Sequence, residues 1–262
     1  MKTKLLPFKL FCLSLIGLLV FSCIPQTKMK YLQNKEGEAP KTEFQTLQPG
    51  YVLKPGDYLN VRVMSLDQKS NEIFSSVVAT GGANGYTNST EQELYLKSYM
   101  VNDSGYINFP LLGQVYAKGQ TVSAIERNLT LSMDSIIKGT SVVVKLVLYN
   151  ISVLGEVNKP GQITIYNSRV NIFQAFALAG DLTGFADRSK VQIVRTDGAK
   201  TNIIVLNVLD KDIISSPYYY LQPNDVIYVE PMKSKSFAFE TFPYGLVYST
   251  IGLALVILTF FK

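Results

Sequence analysis

The 262-residue chain contains no histidine and no tryptophan, and its only cysteines are Cys12 and Cys23. The absence of histidine excludes a Ser-His-Asp triad, a His-ligated zinc ion and imidazole acid-base catalysis. No motif for carboxylate or Ser-Lys chemistry is present either. We therefore expect a protein with no catalytic residue, no cofactor and no metal site.

The first 22 residues predict a secretory signal peptide. Three lysines precede an uncharged apolar run at residues 10–21, which is too short to span a bilayer. Ser22 and Cys23 follow directly, and a small residue before a cysteine is typical of the lipoprotein cleavage site. Phe21 departs from that pattern, since a small residue is usual there. The alternative is an ordinary cleaved signal peptide followed by a chance cysteine.

The cysteine count favours lipidation. Cys12 would leave with the signal peptide, so the mature chain would keep Cys23 without any disulfide partner. Acylation of Cys23 would explain this residue and anchor the chain in a membrane. Removal of the three signal-peptide lysines lowers the net charge from +5 to about +2. So small a positive charge gives no indication of nucleic-acid binding.

The other end of the chain is also apolar. Residues 245–261 carry no charge and predict a helix about 25 Å long, which we expect to span the outer membrane. One helix face carries mostly small or weakly polar residues at spacings of three and four: Gly245, Ser249, Gly252, Val256 and Thr259. We expect this face to line a pore or to pack against neighbouring helices. The alternative is a lone tail anchor.

Between the two ends the sequence predicts an α+β chain with two small mixed modules. We place them at residues 49–149 and 150–231, after a lipidated N-terminus and polar linker at 23–48 and before the C-terminal membrane helix at 232–262. In the first module, Thr121 is expected to cap a helix that Gly139 ends. In the second, five predicted strands accompany one short helix that Ser168 or Asn171 opens.

Two tripeptides of the same turn type recur in the two modules: Pro55-Gly56-Asp57 and Pro223-Asn224-Asp225. Proline presets φ, glycine or asparagine accepts a positive φ, and aspartate bonds backbone amides. We therefore interpret both as structural turns, with a catalytic pair of aspartates as the alternative. A second internal repeat relates residues 112–115 to residues 154–157, because both segments begin Leu-Gly.

These motifs together resemble the polysaccharide biosynthesis/export family, the outer-membrane export lipoproteins of capsule and exopolysaccharide systems. The first module is similar at its Pro-Gly-Asp turn and in the run Asp-Ser-Gly-Tyr-Ile-Asn-Phe-Pro-Leu-Leu-Gly at residues 103–113. The second resembles a soluble-ligand-binding β-grasp domain through residues 155–161, residues 177–180 and the turn at Asp225. A long polar loop at residues 79–92 and the presence of only one β-grasp module depart from the pattern.

The resemblance implies a homo-oligomeric ring that exports polysaccharide without chemistry. Lipid on Cys23 would hold the ring in the outer membrane, with the soluble domains in the periplasm and one C-terminal helix per subunit in a transmembrane barrel. The implied partners are other copies of the chain, an inner-membrane polysaccharide copolymerase, the polysaccharide and outer-membrane lipid, with no nucleic acid.

Two other functions fit parts of the sequence. A lipid-anchored periplasmic glycan-binding module without a pore would use some of the 16 tyrosines and 14 phenylalanines, although such rings mostly serve core packing. A lipoprotein enzyme acting on glycans would need paired carboxylates, whereas the acidic residues here lie mostly at turns and in polar loops.

Overall fold

The computed structural model describes residues 25–35, 37, 42–45, 50–65, 91–233, 235 and 244–260. The predicted signal peptide and Cys23 lie outside these residues, as does most of the predicted loop at 79–92. Two hydrophobic cores organise the described chain, one in a first module at residues 51–147 and one in a second module at residues 149–231. Both modules combine sheet and helix, which fits the predicted α+β class.

The first module is a three-stranded sheet with a helix packed on it. Its elements are β1 (Tyr58–Ser65), α1 (Glu91–Leu96), β2 (Tyr99–Met100), β3 (Tyr106–Phe109), β4 (Gly113–Tyr116), α2 (Val122–Ile136) and β5 (Thr140–Val147). β1 lies between β2 and β5 and is antiparallel to both, while β3 and β4 form a separate hairpin. Helix α2 buries Ile125, Leu129 and Met133 at a spacing of four. The predicted N-cap is confirmed, because the Thr121 hydroxyl accepts the Ala124 N–H at 3.2 Å.

The second module is a five-stranded mixed sheet with one short helix. Its elements are β6 (Tyr149–Gly155), β7 (Gly161–Ile165), α3 (Ile172–Leu178), β8 (Ala186–Asp197), β9 (Lys200–Leu206), a 3₁₀ turn (Lys211–Ser215) and β10 (Val226–Pro231). The strand order is β7-β6-β10-β8-β9, and β10 runs parallel to β6. Asn171 and Gln174 form a capping box at the start of α3, which places Phe176 in the core.

The two modules are joined without a linker. Only Leu148, with φ at 55°, separates β5 from β6, and a bulky residue with a left-handed backbone costs about 1–2 kcal/mol. The preceding Leu146 packs against both hydrophobic cores. The chain therefore passes from the last strand of the first module into the first strand of the second through a single residue.

The prediction of a C-terminal transmembrane helix is wrong. Residues Tyr244–Phe260 form helix α4, but no helix in the described chain is both long and apolar enough to cross a membrane. Its 17 residues rise about 25 Å, which is less than the roughly 30 Å of a bilayer hydrocarbon core. The expected pore-facing residues depended on that span, so their pore-lining role loses its basis; they are all exposed on α4: Gly245, Ser249, Gly252, Val256 and Thr259.

Candidate functional site

The two Pro-x-Asp turns have the same hydrogen-bond geometry. In the first, Asp57 Oδ2 accepts the backbone N–H of Lys54 at 2.8 Å, and Gly56 has φ at 91°. In the second, Asp225 Oδ2 accepts the backbone N–H of Gln222 at 2.7 Å, and Asn224 has φ at 66°. Each positive φ falls on the residue type that accepts it most readily.

These turns meet where the two modules join. The Lys54 ammonium group donates to the Gln222 side-chain oxygen at 3.1 Å and pairs with Asp197 at 3.1 Å. Lys54 and Gln222 occupy the same position in their respective turns, directly before the proline. The internal repeat thus forms a direct contact between the modules.

Asp57 is a buried carboxyl group held by a tyrosine. The Tyr51 hydroxyl lies 2.9 and 3.0 Å from its two oxygens, and Asp57 is 7 % exposed. Burial raises the pKa of Asp57, against the lowering effect of the Lys54 N–H, the Tyr51 hydroxyl and the Lys54 charge. Burial also raises the pKa of Tyr51, and the nearby Asp57 charge adds to that rise.

Asp225 is held differently, in a buried ion pair. Arg195 donates to both of its oxygens, from Nε at 2.9 Å and from Nη2 at 2.6 Å. The Asp225 and Arg195 side chains are 1 % and 11 % exposed, and the same Nη2 also donates to the Tyr220 carbonyl at 3.3 Å. The bidentate geometry fixes the orientation of the turn, and removal of either partner would leave an uncompensated buried charge.

The contacts of both aspartates favour a structural role over a catalytic one. Their oxygens accept backbone N–H groups at each turn and a tyrosine or an arginine from outside it. Sequence reasoning found the aspartates but missed Tyr51 and Arg195. Tyr51 lies only six residues before Asp57, so a tyrosine beside the turn was a usable indication. Nothing in the sequence indicates that Arg195 reaches Asp225, 30 residues away.

The second internal repeat contains a glycine that the sheet requires. Gly155 pairs with Val229 across β6 and β10 and has φ at 88°. A Cβ atom at this position would lie 2.1 Å from the Val229 carbonyl oxygen. Its counterpart Gly113 has φ at 71°, but no other group lies within 4 Å of the corresponding position.

The described part of the predicted linker packs on the second module. The ring of Tyr31 lies edge-on to Phe173 at 5.6 Å and stacks on Phe176 at 6.4 Å. Its hydroxyl donates to Asp181 at 2.6 Å, and the Arg188 guanidinium lies 5.2 Å from the ring centroid. Residues before the first module thus contribute to the core of the second.

Tyr31 covers an unusual buried cation. Arg188 is buried and donates to three backbone carbonyls at 3.3–3.5 Å, those of Leu182, Thr183 and Ala186. In the described chain its Nε has no hydrogen-bond partner. The three carbonyls are neutral, so they do not balance the charge of the buried guanidinium. The contact with the ring of Tyr31 therefore contributes to its stabilisation.

Backbone and charge contacts extend this packing. The backbone N–H of Gln33 donates to the Leu209 carbonyl at 2.5 Å, and the Gln33 carbonyl accepts the backbone N–H of Lys211 at 3.2 Å. Lys35 pairs with Asp212 at 2.5 Å. Residues 31–35 therefore extend the second module, although the first module follows them in the sequence.

We expect Tyr31→Ala to lower the free energy of unfolding of the second module by about 2–3 kcal/mol, since it removes a large ring from a partly buried site. The matched variant Tyr31→Phe keeps the ring, loses the hydrogen bond of the hydroxyl to Asp181 and should cost about 1 kcal/mol. Chemical denaturation of the purified mature chain measures both changes. Equal stability of Tyr31→Ala and the unchanged protein would show that the N-terminal segment contributes nothing to this module.

A shallow groove lies between β7 and α3 on the second module. Its volume is about 460 Å³, and its lining includes Thr164, Tyr166, Asn167, Gln174 and Leu178. Tyr166 is 83 % exposed and Leu178 is 53 % exposed, so apolar surface forms part of its rim. None of the residues that line it is charged. Elsewhere in the described chain, no cluster of three acidic or cysteine side chains suits a metal ion.

The described chain thus comprises two α+β modules whose repeated turns contact each other, and the second module carries an open groove. Comparison with known families shows what each module resembles. Residues 45–147 match the polysaccharide biosynthesis/export protein family, and residues 149–229 match the SLBB domain. Both matches support the polysaccharide export family, which confirms the resemblance drawn from the motifs of the chain. These are families of export and binding proteins, typically periplasmic or associated with the outer membrane.

Proposed function

We propose that this chain is a subunit of an outer-membrane channel that exports a capsular polysaccharide or an exopolysaccharide. The pair of family matches carries the proposal, because together they extend over both modules from residue 45 to residue 229. On this proposal, identical copies form a ring that receives polymer from an inner-membrane copolymerase. The ring passes the polymer on without forming or breaking a covalent bond.

The proposal includes attachment to the outer membrane through lipid on Cys23. Tyr31 lies eight positions after Cys23, and an extended chain spans at most about 3.5 Å per residue. The lipid would therefore lie within about 28 Å of the Tyr31 contact. This short tether would keep the second module close to the membrane surface.

We expect Cys23→Ala to abolish both lipoprotein processing and acyl labelling, because the lipid is attached to that thiol. Labelling of cells with radioactive palmitate, followed by membrane fractionation, measures the result. Cys12→Ala is the matched control, because Cys12 lies in the predicted signal peptide and should leave processing unchanged. Continued acyl labelling of the Cys23→Ala protein would contradict the lipid anchor.

Electron microscopy of the detergent-extracted protein tests the ring. The channel proposal expects closed rings of identical subunits, and it expects that cells lacking the chain retain their polymer. A lipid-anchored periplasmic glycan-binding module without a pore is the second candidate, and the uncharged groove with exposed Tyr166 favours it. Single copies in the micrographs, together with undiminished export in cells lacking the chain, would select that candidate.

A further inference from the structure

We propose that the groove between β7 and α3 binds a neutral sugar segment of the exported polysaccharide, with the ring of Tyr166 as its stacking surface. This inference rests on the proposed function for the identity of the polymer. The groove belongs to the second module, and its lining includes none of the paired-turn residues and none of the residues that Tyr31 contacts. It has a volume of about 460 Å³, within the ~300–1,000 Å³ range of small-molecule sites.

The rim of the groove provides an aromatic surface. Tyr166 follows directly after β7 and is 83 % exposed, and Leu178 at the end of α3 is exposed beside it in the lining. A sugar ring presents an apolar face of C–H groups, which packs against an aromatic ring and buries both from water. A bound sugar would therefore cover the exposed apolar surfaces of Tyr166 and Leu178 and remove them from water.

The groove also offers groups that recognise hydroxyls. Asn167 and Gln174 carry side-chain amides, which both donate and accept hydrogen bonds. Gln174 uses Oε1 to accept the Asn171 N–H at 2.9 Å, and its Nε2 remains the donor for a ligand. Because helix capping fixes the Gln174 side chain, this donor is held in place before a ligand binds.

Charge decides which sugars fit. None of the lining residues is charged, so an acidic sugar would lose water without gaining a cation in return. A neutral sugar loses only hydroxyl hydration, which the amides can replace. Because the rim is exposed, part of a bound ligand would remain in solvent. A long polymer that passes the site requires such an open groove.

Binding of oligosaccharides to the purified mature chain tests the inference. The probes are oligosaccharides cut from the polysaccharide that the producing cells release, separated by anion exchange into neutral and acidic fractions. Titration calorimetry should show binding of the neutral fraction. Tyr166→Ala should weaken this binding about tenfold, in line with loss of one stacking contact, while Tyr166→Phe should retain most of it.

Tyr228→Ala provides the matched control, because Tyr228 is an exposed tyrosine of the same module on strand β10 and does not line the groove. It should bind as the unchanged protein does. Equal binding by Tyr166→Ala, equal weakening by Tyr228→Ala, binding of the acidic fraction alone, or no binding at all would each overturn the inference.

Export measured in cells separates this inference from the proposed function. If cells lacking the chain still export polymer, the proposed function fails, whatever the calorimetry shows. If those cells stop exporting while Tyr166→Ala binds the neutral fraction normally, the groove inference fails alone. Tyr166→Ala protein should remain folded in either case, because the side chain is mostly exposed and lies outside the core.

Discussion

Replacing Asp225 with asparagine is expected to lower the free energy of unfolding of the second module by about 3–5 kcal/mol. The change removes one charge from the buried pair and leaves Arg195, 11 % exposed, without its counter-charge. The asparagine NH₂ group cannot accept from the guanidinium, so one of the two hydrogen bonds is also lost. The same substitution at Asp57 should cost about 1 kcal/mol or less, because the Tyr51 hydroxyl can accept as well as donate.

Chemical denaturation of the purified mature chain at neutral pH measures both variants. A double variant, Asp225→Asn with Arg195→Met, should lose less stability than the two single changes added together, since it leaves no uncompensated cation. Equal costs for Asp57→Asn and Asp225→Asn would contradict the distinction between the two turns.

The pH dependence of stability provides a second test of the Asp57 turn. Burial raises the pKa of Asp57 above its ordinary value of 3.8. The stability associated with its protonated form is therefore complete below pH 3.8 and is lost as the pH rises through the higher pKa of the folded state. The asparagine side chain of the Asp57→Asn protein does not titrate, so the stability of this variant should not fall over the same pH range. Chemical denaturation at several pH values in that range measures the difference.

Gly155→Ala is expected to have an effect of similar size, on the order of 3–5 kcal/mol. The new methyl group would lie 2.1 Å from the Val229 carbonyl oxygen, which also accepts the Glu156 N–H at 3.0 Å. Because that oxygen belongs to the backbone, β6 and β10 would have to separate. The positive φ of Gly155 adds about 1–2 kcal/mol of strain.

Gly113→Ala is the control, because it imposes the same backbone strain without a clash. It should cost only about 1–2 kcal/mol, so the difference between the two variants isolates the close strand contact. Thermal or chemical unfolding of both purified proteins gives that difference. A Gly155→Ala protein no less stable than the Gly113→Ala protein would show that β6 and β10 tolerate the added methyl group.

Local features of this fold were predictable because each rests on neighbouring residues. The Thr121 cap needs only the N–H groups of the helix that it begins. Each turn likewise combines a proline, a residue that accepts positive φ and an aspartate that bonds the amide three residues before it. Such interactions leave a recognisable pattern in the sequence.

The remaining features depend on contacts between residues far apart in the chain. Tyr31 and Asp181 are separated by 150 residues, and Arg195 and Asp225 by 30. No periodicity encodes either pairing, so the N-terminal segment was expected to be only a linker. The C-terminal helix was expected to span the thinner outer membrane with a length of about 25 Å, whereas no helix of the described chain is long and apolar enough to cross a membrane.

The path of the chain determines how the molecule would carry mechanical load. Tyr31 and Gln33 fix the N-terminal segment to the second module, and the chain leaves that same module through the contact of Lys235 with Glu156. Tension applied on either side of these contacts would therefore act on the second module. The first module would move with it, because Leu146 and Lys54 hold the two modules together.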